Sequence, residues 1–446
     1  MMTPNQSDQS DAARTKDQVR QRDFKLLFLV MLVTGAGNTA LQSILPTLGR
    51  TLGVPDSAIA AVFSVSALIW IFSAPYWARR SDRQGRRNMV LIGITGFTVS
   101  TALVAALLFA GLAGWITPLV TLLLVIMARM IFGMFGSAAP PAAQAMIALR
   151  TAREERTKAL TLLSSAFGLG TILGLALAPW MVFPGVGLAG PAIGFAIVGA
   201  VALLFIARYL SDDSDEGMAP DSRSPAHGAN VGYPSFGGAP AGASVTAATS
   251  ERSTTRLKWT DPRIWPWMFC GLIMGHAQAM AGAAMGFLVI DRLNLSVRDI
   301  VTQQTIGLVL MAGAGAALLV QWGVIPRLNL APRKMMLVGL AFAVPGLLMN
   351  GFTTSLYGIA TAYALASVGF GFTRPAFTAG SSLAVGRKLQ GAVAGQVTSI
   401  NGSSFVLGPT IGVGLYEVWQ PLPFAFSAVV LAVLVPYAVL KLKDAD

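Results

Sequence analysis

The fold this 446-residue chain predicts is an all-α membrane protein of twelve transmembrane helices, arranged as two pseudo-symmetric six-helix bundles. Three observations predict it: a composition 54% hydrophobic and only 12% charged, apolar blocks near membrane length, and an echo between the two halves. An ordinary soluble domain carries about 25% charged residues, so this composition cannot clothe a water-facing surface. Mean hydropathy is correspondingly high, at +0.63.

In chain order the apolar blocks run 25–50, 58–78, 88–111, 117–149, 159–181, 190–210, 264–290, 302–325, 335–352, 355–386, 391–416 and 421–440. Crossing about 30 Å of hydrocarbon at 1.5 Å per residue takes about 20 residues. The blocks 117–149 and 355–386 exceed that, so their last turns are expected to project into the cytoplasm. The polar stretch 1–24 is a cytoplasmic tail, and the apolar run after it is too long for a signal-peptide core. Residues 25–210 form the first bundle, 261–440 the second and 441–446 a short cytoplasmic tail. Between the bundles, 211–260 is rich in Gly, Ser, Pro and Ala with little to bury, the composition of a disordered cytoplasmic linker.

The formal charge of +12 is a matter of topology. Of the 32 Lys and Arg, 27 fall in the tails, the linker and the even-numbered loops, and only Arg50, Arg292 and Arg298 in the odd-numbered ones. This bias places both termini in the cytoplasm of a multi-pass protein of the cytoplasmic (inner) membrane, in contact with lipid and with no nucleic-acid partner. Cys270 is the sole cysteine, which excludes an intramolecular disulfide and a cysteine-built metal site. No metal cluster, nucleophile–base pair or phosphate-binding loop stands out, so neither enzyme chemistry nor a cofactor or metal is expected.

The echo is clearest where FGSAAPPAAQAMIA in the first half lines up with FGFTRPAFTAGSSLA in the second, matching Gly136 and Pro140 to Gly371 and Pro375. The register continues to Gly174 in GTILGLALA and Gly408 in FVLGPTIG. Duplicated halves with a site at their interface are a common transporter plan.

The loop after the second block, WARRSDRQGRRNMV, packs Asp82, Arg83, Gly85, Arg86 and Arg87 between apolar segments. It resembles the Gly-x-Leu-Ala-Asp-Arg-x-Gly-Arg-Arg signature of the major facilitator superfamily, with Ala78 in place of the first Gly and Arg80 in place of Leu. The resemblance implies a conformational latch, in which Asp82 meets the N-terminus of the eleventh helix and a neighbouring Arg. Gly85 suits the tight turn and the arginines suit anionic headgroups. A topology-setting charge cluster is the alternative. ARMIFGMFGSAA is similar to the family's Arg-x-x-x-Gly motif through Arg129 and Gly133, which implies a part in proton coupling. Arg129 lies about 20 Å deep by helical rise, where an arginine needs a partner or water. Hydrogen bonding between helices would also satisfy it. LGPTIG, with Gly408, Pro409 and Gly412, resembles the Gly-Pro element of drug–proton antiporters, whereas LGLALA at Gly174 lacks the proline. Gly133, Gly174, Gly408, Pro409 and Gly412 form the helix-packing set. The sum resembles the twelve-span multidrug-efflux branch.

No Asp, Glu or Lys falls inside any predicted span, with Asp291 and Glu417 the nearest, at outer ends. A cavity without acids disfavours cationic cargo and suits neutral or weakly anionic amphipaths. His276 is the second proton-coupling candidate beside Arg129, because imidazole titrates near physiological pH; a histidine merely hydrogen-bonded in the bundle is the competing reading. Asn38, Gln42, Gln278, Arg374, Gln396 and Asn401 are substrate-cavity candidates, and Arg374 could instead snorkel to cytoplasmic water. The expected function is secondary active export of small amphipathic molecules by alternating access, coupled to protons, in a monomer. Transport of one defined metabolite (sugar, organic anion or siderophore) is the alternative, and a transport-dead sensor or assembly factor the alternative of another class.

Overall fold

The computed structural model describes residues 6–151, 153–212, 257–328, 330–386 and 389–443, with the backbone alone for 6–18, 78–79, 81–84, 153–158, 161, 164, 390 and 391. The linker expected over 211–260 therefore lies outside the described residues except at its two ends. The tail expected over 1–24 is helical from Gln6, continuous with the first span.

The first bundle comprises α1 (Gln6–Leu52), α2 (Asp56–Gln84), α3 (Arg86–Leu112), α4 (Pro118–Phe135), α5 (Ala139–Arg150), α6 (Arg153–Leu177) and α7 (Gly190–Tyr209). The second comprises α8 (Trp265–Arg292), α9 (Ile300–Leu318), α10 (Ile325–Leu328), α11 (Pro332–Phe352), α12 (Leu356–Leu383), α13 (Gln390–Val418) and α14 (Leu422–Lys441). Helices α4 and α5 are one passage, tightened into a 3₁₀ turn at Gly136–Ala138. Pro140 and Pro141 follow and lack the N–H groups that would bond the carbonyls there. A π-helical turn at Leu319–Val324 likewise joins α9 to α10. Among the described residues, six helical passages result in each half.

Ten of the passages are long and apolar enough to cross a membrane by length and composition, and Ser165–Met181 within the α6 passage is a shorter apolar helix. Helix α13 falls short for a physical reason. It packs against α2 and α8 at the bundle interface, where polar residues such as Ser404 and Thr410 meet protein groups instead of lipid. Helix α4 shows the opposite pattern, with Leu119, Leu123, Met127, Met130 and Met134 exposed along one stripe and Leu122, Val125, Arg129 and Phe132 buried on the other. An apolar stripe left exposed at helical spacing is a lipid-facing surface.

The echo in sequence becomes an echo in packing. A Cβ at Gly174 of α6 would stand 2.1 Å from the Ala36 carbonyl of α1, and one at Gly408 of α13 would stand 2.5 Å from Ala279 of α8. The fifth passage thus presses on the first as the eleventh presses on the seventh. Gly412 continues this contact against Met280, and Gly133 lets α4 approach the Ser66 carbonyl of α2. Pro409 lies inside α13 beside them.

The two bundles touch in the half of the molecule away from the chain termini. Thr410 Oγ1 of α13 donates to Ser64 Oγ of α2 at 2.8 Å. Gly402 lies against Ile71, Gly286 against Pro46, and Gly307 against Leu175 and Pro179. Toward the terminal end, Gly395 of α13 is exposed and has no neighbour within 4 Å of a Cβ position. Among the described residues, these contacts between the bundles lie in the middle and at the far end of the interface.

Candidate functional site

Between the bundles, α1, α2, α8, α9 and α13 enclose a cavity lined by Gln42, Leu45, Pro46, Ile59, Ala60, Phe63, Ala279, Gly282, Ala283, Gly286, Phe287, Leu310, Phe405 and Pro409. None of these side chains is charged, and Gln42 is the polar one. Its water-accessible space is about 40 Å³, room for a few water molecules. The far end of the site is therefore nearly collapsed.

One helical turn toward the termini, the polar candidates gather on the same helix faces. Residues four apart share a face, which aligns Asn38 with Gln42 on α1 and Asn401 with Phe405 on α13. Residues three and seven apart align His276 with Ala279 and Ala283 on α8. Half-buried His276 places Nδ1 2.8 Å from the Leu272 carbonyl of its own helix. The Gln42 and Asn401 amide oxygens are buried and find no hydrogen-bond partner among the described residues.

Arg129 stands one layer behind the cavity wall, 1% exposed. Its Nη2 donates to Asn38 Oδ1 at 2.6 Å. Its guanidinium also lies over Phe63 at 5.0 Å and Phe132 at 4.4 Å. Phe63 lines the cavity, so the arginine reaches the site through an aromatic ring and an amide. Its helix is fixed in turn, since Ser66 Oγ and Ser100 Oγ donate to the carbonyls of Arg129 and Ala128 at 3.0 and 2.7 Å.

Three candidates lie elsewhere. Gln278 lines a separate small cavity inside the second bundle with Tyr363, Ser367 and Phe370. Gln396 sits near the terminal end of α13, donating to the Leu257 carbonyl at 2.9 Å. It ties the start of the second bundle in place. Arg374 is 5% exposed, packed within the protein instead of reaching water as snorkelling would require.

At the terminal end, Gly85 joins α2 to α3 with φ 87° and ψ 139°, a conformation that needs glycine. Arg87 donates to the Leu210 and Ala207 carbonyls at 2.8 and 2.7 Å, capping the C-terminus of α7 where a cation is favoured. Arg86 is half-buried. The Asp82 and Arg83 side chains lie outside the described residues, as do those of Glu154, Glu155, Arg156 and Lys158. An acid just outside the first predicted span, 25–50, is nonetheless drawn into the protein. Asp23 is fully buried inside α1 and pairs with Arg150 of α5, which also donates to the Ser211 and Asp212 carbonyls at 3.2 and 3.1 Å. Asp23 falls just ahead of the first apolar block, and only continuation of the helix through it carries it into the protein.

The family model described as Major Facilitator Superfamily matches residues 27–409. The chain belongs to this superfamily. It is a multi-pass membrane transporter, not an enzyme, and the curated proteins it is similar to include drug-efflux proteins. Multidrug resistance protein 2 of Bacillus subtilis (strain 168) is 22% identical over 422 residues, covering 92% of this chain and 93% of that one. Tetracycline resistance protein, class G, of Vibrio anguillarum is 24% identical over 398 residues, covering 88% and 90%. Among solved structures, a bacterial homologue of the human lysosomal transporter Spinster, inward-facing and occupied, aligns with a TM-score of 0.66 at 12% identity, covering 94% of this chain and 96% of that one. The human organic anion transporter MFSD10 aligns at 0.59 with 18% identity, covering 94% and 99%. At these identities the two structures speak for the fold alone.

Proposed function

We propose that this transporter exports small amphipathic molecules, neutral or weakly anionic, by alternating access coupled to protons, from a cytoplasmic membrane with both termini inside. The observation that carries the reading is the cavity between the bundles. Its wall is apolar, its polar group is an amide, and among the described residues no carboxylate lines it to balance a cationic cargo. Curated relatives named for multidrug and tetracycline resistance support export. With the termini in the cytoplasm, an interface closed at the far end is the inward-facing state, open to load cargo from inside.

Arg129 keeps a fixed positive charge behind Phe63 and Asn38, which favours partial negative charge in the cargo. His276 lies on the cavity-facing stripe of α8 and is the proposed proton carrier. Asp82, at the end of α2, is proposed to latch the cytoplasmic side in the outward-facing state, and lipid headgroups to hold the arginines near it.

The test is transport in inverted vesicles carrying a proton gradient, read with a pH-sensitive dye against cationic, neutral and anionic amphipaths, with Asp82→Asn as control. Neutral and anionic compounds should dissipate the gradient in wild type and not in the variant. A response to cations alone would overturn the charge argument.

A further inference from the structure

Above the cavity, at the end remote from the termini, charges from both bundles converge. Arg50, at the end of α1, donates to Asp56 Oδ2 at 2.8 Å and to Asp291 Oδ2 at 2.9 Å. Asp56 opens α2 in the same bundle, whereas Asp291 ends α8 in the other. Tyr416, near the end of α13, donates its hydroxyl to Asp291 Oδ2 at 2.6 Å. Glu417 beside it accepts from the Ser57 backbone N–H at 2.9 Å, in the first turn of α2. The Arg50 guanidinium also lies 5.5 Å from the Phe287 ring, which roofs the cavity.

We infer that this cluster is the outer latch of the transport cycle, and that its bonds divide into a permanent set and a breakable set. The inference rests on alternating access as proposed above. Arg50 and Asp56 flank one short turn of the first bundle, so their bond survives any separation of the bundles. Asp291 and Tyr416 both belong to the second bundle and likewise stay together. Arg50–Asp291 and Ser57–Glu417 cross between the bundles, as do Gln303–Thr47 just beneath them and Thr410–Ser64 deeper in the interface, and it is these crossing bonds that must break for the outer mouth to open.

The division has a physical use. The Arg50 and Asp291 side chains are 23% and 22% exposed, so stripping either of every partner would leave a half-buried charge uncompensated. Here the opened state leaves Arg50 on Asp56 and Asp291 on the Tyr416 hydroxyl. Both end states are satisfied, as a two-state element requires. The closed state is favoured by complementarity, since the first bundle presents Arg50 and the positive N-terminus of α2, and the second presents Asp291 and Glu417. Glu417 at the end of α13 meeting the start of α2 is also the arrangement expected of Asp82, with the two helices exchanged.

The experiment uses the full chain with Cys270→Ser and a reporter thiol at Gln42→Cys, labelled on intact cells by a membrane-impermeant maleimide without cargo. With the latch intact, labelling should be slow. Asp291→Asn and Glu417→Gln should each speed it, together about tenfold, the shift produced by about 1.4 kcal/mol. Asp56→Asn should leave the rate unchanged, because its bond to Arg50 exists in both states. Unchanged labelling in the Asp291 and Glu417 variants, or an Asp56→Asn effect equal to theirs, would overturn the proposal. A second measurement needs none of these variants: thiols at Ser57→Cys and Glu417→Cys should cross-link under mild oxidant, and failure to do so would sink the closed geometry. Labelling reads conformation alone, so an absence of amphipath export in wild type would refute the proposed function and leave the latch standing.

Discussion

Replacing Asn38 by leucine removes the oxygen that accepts from Arg129 Nη2 at 2.6 Å. A hydrogen bond to a charged group contributes about 1.5–3 kcal/mol, and stripping a buried ion of its partner costs about 3–5 kcal/mol. Arg129 keeps its aromatic contacts at 5.0 and 4.4 Å, which desolvation strengthens, so the loss belongs at roughly 2–3 kcal/mol. For a domain of 150–250 residues each kcal/mol moves Tm by about 2–4 °C. A fall of roughly 4–12 °C is therefore expected. With Cys270→Ser and a thiol placed instead at fully buried Ala142→Cys in the first bundle, a thiol-reactive dye followed through a thermal ramp in detergent reads that bundle's unfolding directly. Asn38→Asp supplies the reasoning with its control, because it keeps the acceptor and adds an acid beside the cavity. That variant should hold its Tm near wild type and gain transport of cationic amphipaths. A leucine variant that melts with wild type, or an aspartate variant that melts as low as the leucine one, would refute the account of Arg129.

Three further outcomes are expected. Gly174→Leu forces a Cβ to within 2.1 Å of the Ala36 carbonyl; backbone cannot yield as a side chain does, so stability should fall by roughly 1–3 kcal/mol or more and transport with it, measured by the same thermal ramp and vesicle assay. His276→Gln should keep its abundance and lose the pH dependence of transport, and a variant as pH-dependent as wild type would exclude His276 as the proton carrier. Asp23→Ala takes the carboxylate partner from buried Arg150, a loss of about 3 kcal/mol at the low end for a broken buried pair, which Arg150→Met in the same chain should largely restore in Tm.

Much of the architecture was legible because membrane solvation acts on local composition. A bilayer accepts only segments whose backbone is internally satisfied and whose surface is apolar, so length, hydropathy and the Lys/Arg bias name the passages without any knowledge of packing. The echo between the halves was legible too, since Gly174 and Gly408 stand at matching places and each makes a close contact, with Ala36 and Ala279. Helix α13 shows where that signal weakens, because a helix shielded by protein is released from the demand for apolar residues.

What only tertiary structure decided is which polar groups meet. Asn38 and Arg129 are 91 residues apart, and Arg50 and Asp291 are separated by 241. No periodicity within one helix encodes either meeting, since each depends on how helices from distant segments rotate and cross. For the same reason sequence alone could not place the six cavity candidates relative to one another. Gln42 lines the cavity between the bundles, Asn38 and Asn401 share helix faces with its lining, Gln278 lines a separate cavity, Gln396 donates to the Leu257 carbonyl, and Arg374 is buried in α12. The sequence by itself determined that this chain crosses the membrane as two related bundles, because burying apolar surface in lipid is a property of each segment alone. Where its charges find partners, and so where the transporter closes, is a property of the bundles together.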